Sequence, residues 1–382
     1  IRLVTLTGIG GTGKTTLSRA VAGRVLPKFR DGAFFIELAD VSRTEVVAST
    51  IAQPLGVKEE AGRPILELLK DHLSNKRMLL VIDNFEQIID AAPQIAELLN
   101  AAEDLKVLVT SRELLRLTAE VEYQVPPLSL PETEGKPFEE LRENEAIRLF
   151  AERASAARPT FSVTRENITD VAAICARLDG LPLAIELAAA RVKILSPAAI
   201  LSKLENRLNL LTGGARDLPE RQKTMRGAVM WSYDLLAEDE KQVFGELSIF
   251  SGGFRLDAAE FVSGRSDGQL STELLDILAS LIDKSLILRK EMPDGESRFR
   301  MLEVVRELAL ETLDERGRLG EIRGRHAAFF TDLGATAEPL LQSAESGVWL
   351  SRLEEEHDNL RSAMDWSLVN DPEMAVRLAV SV

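Results

Sequence analysis

Short apolar runs and helix-like stretches alternate over the first third of the chain. The runs at 78–82 and 107–109 are apolar without alternation, as is typical of central parallel strands covered by helices on both faces. Alternation of such strands with helices predicts a doubly wound α/β domain with a parallel sheet. The predicted strands are Arg2–Thr7, Ala33–Leu38, Met78–Asp83, Lys106–Thr110 and Val121–Val125, and the predicted helices are Thr15–Leu26, Pro64–Leu73 and Ala92–Ala101.

The pattern changes after Pro126-Pro127, where a connector rich in Pro, Gly and Glu leads into stretches of helical periodicity. Further along, three predicted helices precede two short strands that flank the turn signal Pro293-Asp294-Gly295. Helices followed by a β-hairpin indicate a winged-helix domain. The predicted helices are Lys223–Leu236, Glu238–Leu247 and Thr272–Lys284, and the predicted strands are Leu286–Lys290 and Arg298–Met301.

These changes predict four domains, with Gly213-Gly214 marking the second boundary. They are an α/β domain at 1–128, a helical domain at 129–215, a winged-helix domain at 216–318 and a helical region at 319–382 that could begin a helical-repeat array. In the last region, residues at intervals of three or four predict one face of a single helix, with His357 packed in it. They are Trp349, Leu353, His357, Leu360, Met364 and Leu368.

Composition narrows the possible partners. The chain has 382 residues, with 46 Lys or Arg and 61 Asp or Glu, so its formal net charge is −15. So acidic a surface argues against binding nucleic acid or anionic lipid over a broad face. The predicted hairpin also carries acidic residues among its basic ones, so we expect a structural wing and no direct nucleic-acid binding. No apolar run approaches the ~20 residues of a membrane span, so no membrane partner is expected.

The number of cysteines indicates the cellular compartment. A single cysteine, Cys175, excludes an internal disulfide, and no Cys/His cluster has the spacing of a zinc site. We therefore expect a cytoplasmic protein, with Cys175 in the core because it lies on the apolar face of a predicted helix. The chain begins at Ile1 instead of a methionine, so we expect it to be part of a longer protein.

The segment Gly8-Ile9-Gly10-Gly11-Thr12-Gly13-Lys14-Thr15 fits the phosphate-loop pattern G-x-x-x-x-G-K-[ST] between a predicted strand and a predicted helix. Its glycines allow backbone conformations in which successive N–H groups turn toward phosphate oxygens, and the helix N-terminus adds the positive end of its dipole. Lys14 is predicted to reach the β and γ phosphates. The predicted nucleotide-binding residues here are Gly8, Gly10, Gly11, Thr12, Gly13, Lys14, Thr15 and Thr16.

A phosphate loop of this kind works with Mg²⁺, which the hydroxyl of Thr15 is expected to bind. Asp83 ends a buried apolar run and is expected to hold the metal through water, or else only to cap the following turn. Asn84 occupies the next position, where hydrolytic P-loop enzymes often carry a second carboxylate, and an amide cannot act as a base. Glu86 is the candidate substitute, so we expect at most slow ATP hydrolysis.

Arg112 follows another predicted strand, at the edge of the sheet where strand ends converge on a ligand. It is the candidate contact to the γ-phosphate, and the alternative is an ordinary exposed arginine. The candidate catalytic residues are thus Asp83, Glu86 and Arg112. Guanine recognition by Asn-Lys-x-Asp is not supported, because 75–78 reads Asn-Lys-Arg-Met. An adenine nucleotide, ATP or ADP, is the expected ligand.

Together these motifs resemble the NB-ARC branch of the signal-transduction ATPases with numerous domains (STAND), in particular the ATPase cores of large bacterial transcriptional regulators, LuxR-like or related. The resemblance spans nearly the whole chain and depends on an ordered set of segments. They are 8–15, 79–84, 109–112, 180–184, 231–236 and 301–307.

The resemblance implies that ADP holds the α/β, helical and winged-helix domains closed, and that exchange for ATP opens them for self-association. Sensor and effector domains are expected outside this stretch. It also implies that Pro182 lies against the adenine, although a proline is equally expected as the first residue of a helix.

One motif departs from the family. The Met-His-Asp latch, whose histidine contacts the β-phosphate, reads Met301-Leu302-Glu303 here, and leucine cannot donate that hydrogen bond. Either another group holds ADP or the closed state is less tightly latched. The basic residues Arg216, Arg221, Lys223 and Arg226 are candidates for that group, although a solvated loop is the favoured interpretation of this cluster.

We favour an ATP- and ADP-binding switch of a signalling or transcription-regulatory protein, and two other functions remain open. A metabolic P-loop ATPase or kinase would need an activating carboxylate and an acceptor pocket, which Asn84 and the lack of a substrate motif after residue 130 disfavour. An inert scaffold would retain ADP permanently.

Overall fold

The computed structural model describes residues 1–39, 41, 43–132, 135–204, 210–211, 223–265 and 272–381. The predicted boundary Gly213-Gly214 and two candidate latch residues, Arg216 and Arg221, lie outside the described residues. The described part forms a parallel-sheet α/β region, a helical region, a winged helix-turn-helix region and a set of C-terminal helices. The predicted fold class is confirmed, whereas the predicted domain limits stay predictions.

The α/β region consists of strands β1 (Leu3–Thr7), β2 (Ala33–Glu37), β3 (Leu79–Asp83), β4 (Lys106–Thr110) and β5 (Glu120–Gln124) and helices α1 (Lys14–Val25), α2 (Thr44–Leu55), α3 (Ile65–Leu73) and α4 (Ala92–Ala101). The strands pair in parallel in the order β2-β3-β4-β1-β5. Strand β3 is fully buried, because its apolar residues meet helices on both faces of the sheet. Every strand and helix predicted in this region is confirmed to within one residue at each end, and α2 is an additional helix.

The helical region consists of α5 (Phe138–Arg142), α6 (Glu145–Ala157), α7 (Ile168–Arg177), α8 (Pro182–Ala190) and α9 (Pro197–Lys203). Pro182 is the first residue of α8, as predicted, because a proline at this position sacrifices no helical hydrogen bond. Cys175 is fully buried on α7, which confirms its predicted place in the core.

The winged-helix region consists of α10 (Met225–Asp234), α11 (Glu238–Leu247), α12 (Leu256–Ser263), α13 (Thr272–Asp283), β6 (Leu288–Glu291), β7 (Ser297–Arg300) and α14 (Glu303–Glu315). Strands β6 and β7 form an antiparallel hairpin, and Phe254 adds a two-hydrogen-bond bridge to Phe299 on β7. The elements predicted here are confirmed to within two residues, and α12 and α14 were not predicted.

The C-terminal helices are α15 (Leu319–Leu340), α16 (Ser346–Glu355), α17 (His357–Asn370) and α18 (Pro372–Ser381). The prediction of a single helix through 349–368 is wrong. The helix ends before Glu356, whose buried carboxylate forms an ion pair with Arg298 of β7, and a new helix begins at His357. His357 is exposed, so its predicted packing is also wrong. The buried face of α17 is instead formed by Asn359, Leu360, Ala363 and Ser367.

The buried apolar side chains of the sheet form clusters separate from that of the other three regions. The sheet has separate clusters on its two faces. The helical, winged-helix and C-terminal regions share one continuous cluster, which also takes in Ile9 of the phosphate loop. In the described residues, no helix has the length and apolar character required to span a membrane.

Candidate functional site

The phosphate loop connects β1 to α1 and is approached closely by two other segments. Gly11 has a φ of +90°, and a Cβ atom added there would lie 2.9 Å from the Cβ of Leu183. A Cβ added at Gly10 would lie 2.8 Å from a guanidinium nitrogen of Arg112. The glycines therefore do more than permit an unusual backbone. They also make room for a leucine from α8 and for an arginine from the end of β4.

Lys14 folds back over this loop. Its Nζ donates hydrogen bonds to the carbonyl oxygens of Gly8, at 2.5 Å, and Ile9, at 3.1 Å. Burial lowers the pKa of the Lys14 ammonium to about 8, the carboxylate of Glu86 opposes this change, and the positive charge of Arg112 adds to it. The ammonium is thus held at the loop and has little access to water, which strengthens its attraction for an anion.

Asp83 gathers polar groups from three strand and helix ends. The hydroxyl of Thr15 donates to its two carboxylate oxygens at 2.8 and 3.1 Å. The hydroxyl of Thr110, which ends the neighbouring strand β4, also donates to this carboxylate. The side-chain amide of Asn84 donates at 3.1 Å, and its backbone N–H donates to the Thr110 hydroxyl at 3.0 Å. Asn84, at the position where hydrolytic P-loop enzymes often carry a second carboxylate, therefore orients the carboxylate of Asp83.

Glu86 and Arg112 form a buried pair, with 3.4 Å between the nearest carboxylate oxygen and the guanidinium Nε. The guanidinium also donates to the backbone carbonyl of Ala228 over 3.4 Å, and it stacks 4.1 Å from the ring centroid of Trp231. Ser285 donates to the backbone carbonyl of Arg112 at 3.2 Å. Arg112 is buried, so the interpretation as an exposed arginine at the end of a strand is wrong.

The start of α8 completes the surroundings of the loop. The backbone N–H of Leu183 donates to the carbonyl of Gly11 at 3.1 Å. A Cβ added at Gly13 would lie 4.0 Å from the Cγ of Pro182, in ordinary contact. The three segments enclose a cleft of about 180 Å³. Of the predicted site residues, those that line it are Gly10, Gly11, Gly13, Lys14, Thr15, Thr16, Glu86, Arg112 and Pro182.

Three predicted site residues lie next to the cleft and not in its lining. The carbonyl of Gly8 accepts from Lys14, the hydroxyl of Thr12 donates to Ile9 at 2.9 Å, and Asp83 lies behind Thr15 with 1% of its surface exposed. The cleft thus brings the phosphate loop, two strand ends and α8 together. Their roles toward a ligand stay predictions.

Sequence reasoning missed the residues that the winged-helix region and α8 bring to the cleft. They are Leu183, Glu186, Ala228 and Trp231. Trp231 and Ala228 lie more than a hundred positions from Arg112 and contribute a ring and a backbone carbonyl, so no local spacing could reveal them. Two latch candidates are inside the described part, and of these Arg226 forms an ion pair with Glu311 at 2.6 Å.

Family models match two segments of the chain. A model described as an AAA domain matches residues 2–118, and one described as a winged helix-turn-helix domain matches residues 236–314. A Walker-type ATPase of Pyrococcus abyssi is similar in fold, with a TM-score of 0.51 at 14% identity over 81% of this chain and 91% of that one. The chain therefore carries a P-loop ATPase domain followed by a winged helix-turn-helix domain.

Two relatives from Mycobacterium bovis are similar over most of the chain. One, whose name proposes an HTH-type transcriptional regulator, is 40% identical over 370 residues, 97% of this chain and 40% of that protein. The other, an uncharacterised protein, is 35% identical over 326 residues, 85% of this chain and 80% of that protein. The chain thus spans 40% of the length of the first and resembles a P-loop ATPase domain in a regulator-like protein.

The expectation of no direct nucleic-acid binding is wrong. It was inferred from the net charge of −15 and from the acidic residues of the hairpin. The winged helix-turn-helix match and the name of the 40% identical relative point instead to DNA binding by this chain. Net charge averages over the whole surface, whereas DNA contacts depend on the charge of one small face.

Proposed function

This chain belongs to the family of the uncharacterised Mycobacterium bovis protein, 80% of whose length it covers, and we propose that the chain is a switch controlled by an adenine nucleotide in a transcription-regulatory protein. The observation that carries the proposal is the cleft at the phosphate loop. Side chains of the α/β, helical and winged-helix regions line it together, so a nucleotide bound there would contact all three.

The proposed roles follow from the groups present. Residues 8–16 bind the phosphates, with the Lys14 ammonium on the β and γ phosphates. The hydroxyl of Thr15 and the carboxylate of Asp83 are hard oxygen donors, which suit Mg²⁺. Among the described residues no three His, Cys, Asp or Glu side chains group around a metal position, which fits an ion whose remaining ligands are phosphate and water. The metal would neutralise phosphate charge, and Asn84 and Thr110 orient Asp83 toward it.

Arg112 is the proposed sensor of the third phosphate. Its guanidinium makes hydrogen bonds of 3.4 Å to Ala228, and charge-assisted bonds to a γ-phosphate would be shorter and stronger. Moving a population from 1:99 to 99:1 needs about 5.5 kcal/mol of differential affinity. Two hydrogen bonds to a charged group, at about 1.5–3 kcal/mol each, are of that size. If the Arg112 guanidinium moved from Ala228 and Trp231 to this phosphate, the winged-helix region would be freed from the cleft.

We further propose the NB-ARC type of cycle, in which ADP maintains the closed arrangement and ATP permits opening and self-association, with Pro182 against the adenine. Hydrolysis is proposed to be slow. Asn84 cannot act as a base, and the buried pairing of Glu86 with Arg112 occupies the remaining candidate carboxylate.

The test is nucleotide binding by a Lys14→Ala variant, measured by isothermal titration with ADP and with ATP plus Mg²⁺. The matched control is Lys28→Ala, which removes an exposed lysine just beyond α1. We expect Lys14→Ala to abolish measurable binding with an unchanged circular dichroism spectrum, and Lys28→Ala to bind as the parent chain does. Parent-like binding by Lys14→Ala, or no binding by the parent chain, would contradict the proposal.

For the output, we propose that the winged helix-turn-helix region contacts DNA through its wing. Arg289 and Lys290 on β6 are exposed, whereas the exposed face of α13 carries Glu273 and Asp276, which would repel phosphates. The test is the salt dependence of binding to a 30-base-pair duplex, measured by fluorescence anisotropy. Arg289→Gln with Lys290→Gln should reduce the log–log salt slope by about 2, since each phosphate contact contributes about 0.9. An unchanged slope would exclude the wing as the contact.

A further inference from the structure

A five-residue segment at the start of α8 connects the phosphate loop to the wing. At one end, the carboxylate of Asp179 accepts a hydrogen bond from the guanidinium of Arg300, the last residue of β7. The same carboxylate accepts from the backbone N–H of Glu303, the first residue of α14, at 2.6 Å. At the other end, Leu183 donates to the carbonyl of Gly11 at 3.1 Å. The segment 179–183 therefore contacts both the wing and the phosphate loop.

The middle of the segment has little room to change. Gly180 has a φ of +68°, and a Cβ there would lie 2.2 Å from the carbonyl oxygen of Leu128. The backbone N–H of Leu128 donates to the carbonyl of Gly180 at 2.9 Å, and Leu181 is fully buried. A displacement at Asp179 is therefore transmitted along the segment, because close packing on both sides prevents local adjustment.

Asp179 combines burial, charge and an uncommon backbone conformation. Its side chain is 3% exposed, and its φ of +52° is uncommon for a residue with a side chain. A carboxylate at the N-terminus of α14 is also favoured by the helix dipole and by its unpaired backbone donors. The helix-capping position itself is held by Leu302, which supplies no side-chain cap, so Asp179 supplies the cap from the helical region.

We propose that Asp179 is a positioning residue of the nucleotide site: by holding the Arg300 end of the wing and the start of α14, it keeps Leu183 on Gly11 and so slows the release of ADP. This inference rests on the proposed nucleotide switch. The contact also involves the tripeptide 301–303, where Leu302 replaces the family's latch histidine, because Asp179 accepts from the backbone N–H of Glu303. The wing and the phosphate loop then respond to each other through five residues, and opening requires the Asp179–Arg300 pair to part.

The test measures the dissociation rate of mant-ADP from the full chain by stopped-flow fluorescence. Asp179→Asn keeps the size and an acceptor for Glu303 but loses the charge that attracts Arg300, and we expect release about tenfold faster. Arg300→Gln, at a side chain that is 46% exposed, should give a similar acceleration. The double variant should release no faster than either single variant, because both remove the same link. Arg300→Lys keeps a charged donor, so this single variant should retain the slow release of the parent chain.

A second readout needs no nucleotide. Hydrogen exchange of the peptide that contains Leu183 should quicken in Asp179→Asn, whereas peptides from β3 should exchange as in the parent chain. Glu291→Gln, which neutralises an exposed charged residue of β6 in the wing, is the control and should change neither readout. Parent-like release and exchange in both Asp179→Asn and Arg300→Gln would overturn the inference and leave the nucleotide switch standing. Failure of the parent chain to bind mant-ADP would overturn both.

Discussion

The winged-helix region packs against the C-terminal helices through buried charged groups, whereas long hydrogen bonds and an exposed ion pair connect it to the α/β region. We call these contacts the tail joint and the core joint. In the tail joint, Arg298 forms an ion pair with Glu356 in which both side chains are at most 10% exposed. Asn359, fully buried, donates to the carbonyl of Gly253 at 2.8 Å and accepts from the backbone N–H of Ser251 at 2.7 Å.

The core joint has a different character. Its buried contacts include those of the Arg112 guanidinium, which donates to Ala228 over 3.4 Å and stacks on Trp231. The backbone carbonyl of Arg112 also accepts from Ser285 at 3.2 Å. Its ion pair, between Arg116 and Asp283, has side chains that are 75% and 34% exposed. Buried pairs are costly to break because a charge is left without its partner, whereas exposed pairs contribute little. The winged-helix region is thus fastened to the tail, and the core joint has the exposed ion pair, which costs less to break, as the proposed switch requires.

The largest expected effect tests this contrast directly. Glu356→Ala leaves the buried guanidinium of Arg298 without its carboxylate partner, and we expect the free energy of unfolding to fall by about 3–5 kcal/mol. Asp283→Ala removes the corresponding carboxylate from the core joint and should cost less than about 1 kcal/mol. Urea unfolding followed by circular dichroism measures both. Equal losses would mean that the two joints do not differ in this way.

The pH dependence of stability sharpens the description of the tail joint. His326 lies on α15 with its ring 5.3 Å from that of Phe250, and burial lowers its pKa from 6.5 to about 4. Because the pKa is lower in the folded than in the unfolded state, the neutral histidine's contribution is complete above pH 6.5 and is lost as the pH falls toward 4. The expected loss is about 3 kcal/mol at 1.36 kcal/mol per pKa unit.

Urea titrations at several pH values check this expectation. His326→Phe should remove that part of the pH dependence, since a phenyl ring in the same position takes up no proton. The exposed His357 is the matched control, and His357→Gln should retain the parent profile. A pH profile of His326→Phe that coincides with that of the parent chain would show that the loss arises elsewhere.

Two glycines with left-handed backbones allow a comparison of the crowded segment 179–183 with the free end of the wing. Gly180→Ala should lower the free energy of unfolding by about 3 kcal/mol, from a left-handed backbone at about 1–2 kcal/mol and overpacking against Leu128 at about 1–3 kcal/mol. Gly295 has a φ of +84° and no atom within 4 Å of an added Cβ. Gly295→Ala should therefore cost only about 1–2 kcal/mol. Thermal unfolding of both variants measures the difference, and equal costs would imply that Leu128 moves aside easily.

The smallest expected effect lies at the phosphate loop. The pKa of Lys14 is about 8 in the nucleotide-free chain because of burial, and an anion binds the ammonium form. The affinity for mant-ADP should therefore begin to fall as the pH approaches 8 and drop about fivefold from pH 8 to pH 9, equivalent to about 1 kcal/mol. Equilibrium titrations across this range measure it, with Lys28→Ala as a control that keeps the profile. A constant affinity up to pH 9 would contradict the role of the Lys14 ammonium.

Local sequence patterns were sufficient for much of the fold. Strand β3 and its terminal Asp83 were predictable, because an unbroken apolar run signals a strand covered on both faces and parallel strands end at a common edge. Helix α2 was missed although Val47, Ala48, Ile51 and Ala52 form a buried face at helical spacing. The stretch 349–368 was predicted as one helix because periodicity records which residues are apolar. It does not record where a helix ends at a residue held in a buried ion pair, as it does at Glu356.

By itself, the sequence determined the phosphate loop and the groups gathered around the proposed magnesium position. Gly11, Lys14 and Thr15 are adjacent in the chain, and Asp83 reaches them because the sheet brings the ends of β1 and β3 to one edge. Only the tertiary structure decided which groups Arg112 and Asp179 contact. Apart from Glu86, the partners described above lie more than a hundred residues away, and one of Arg112's is a backbone carbonyl that any residue type could provide. Contacts of that kind depend on how the regions pack, and side-chain periodicity within one element contains no record of it.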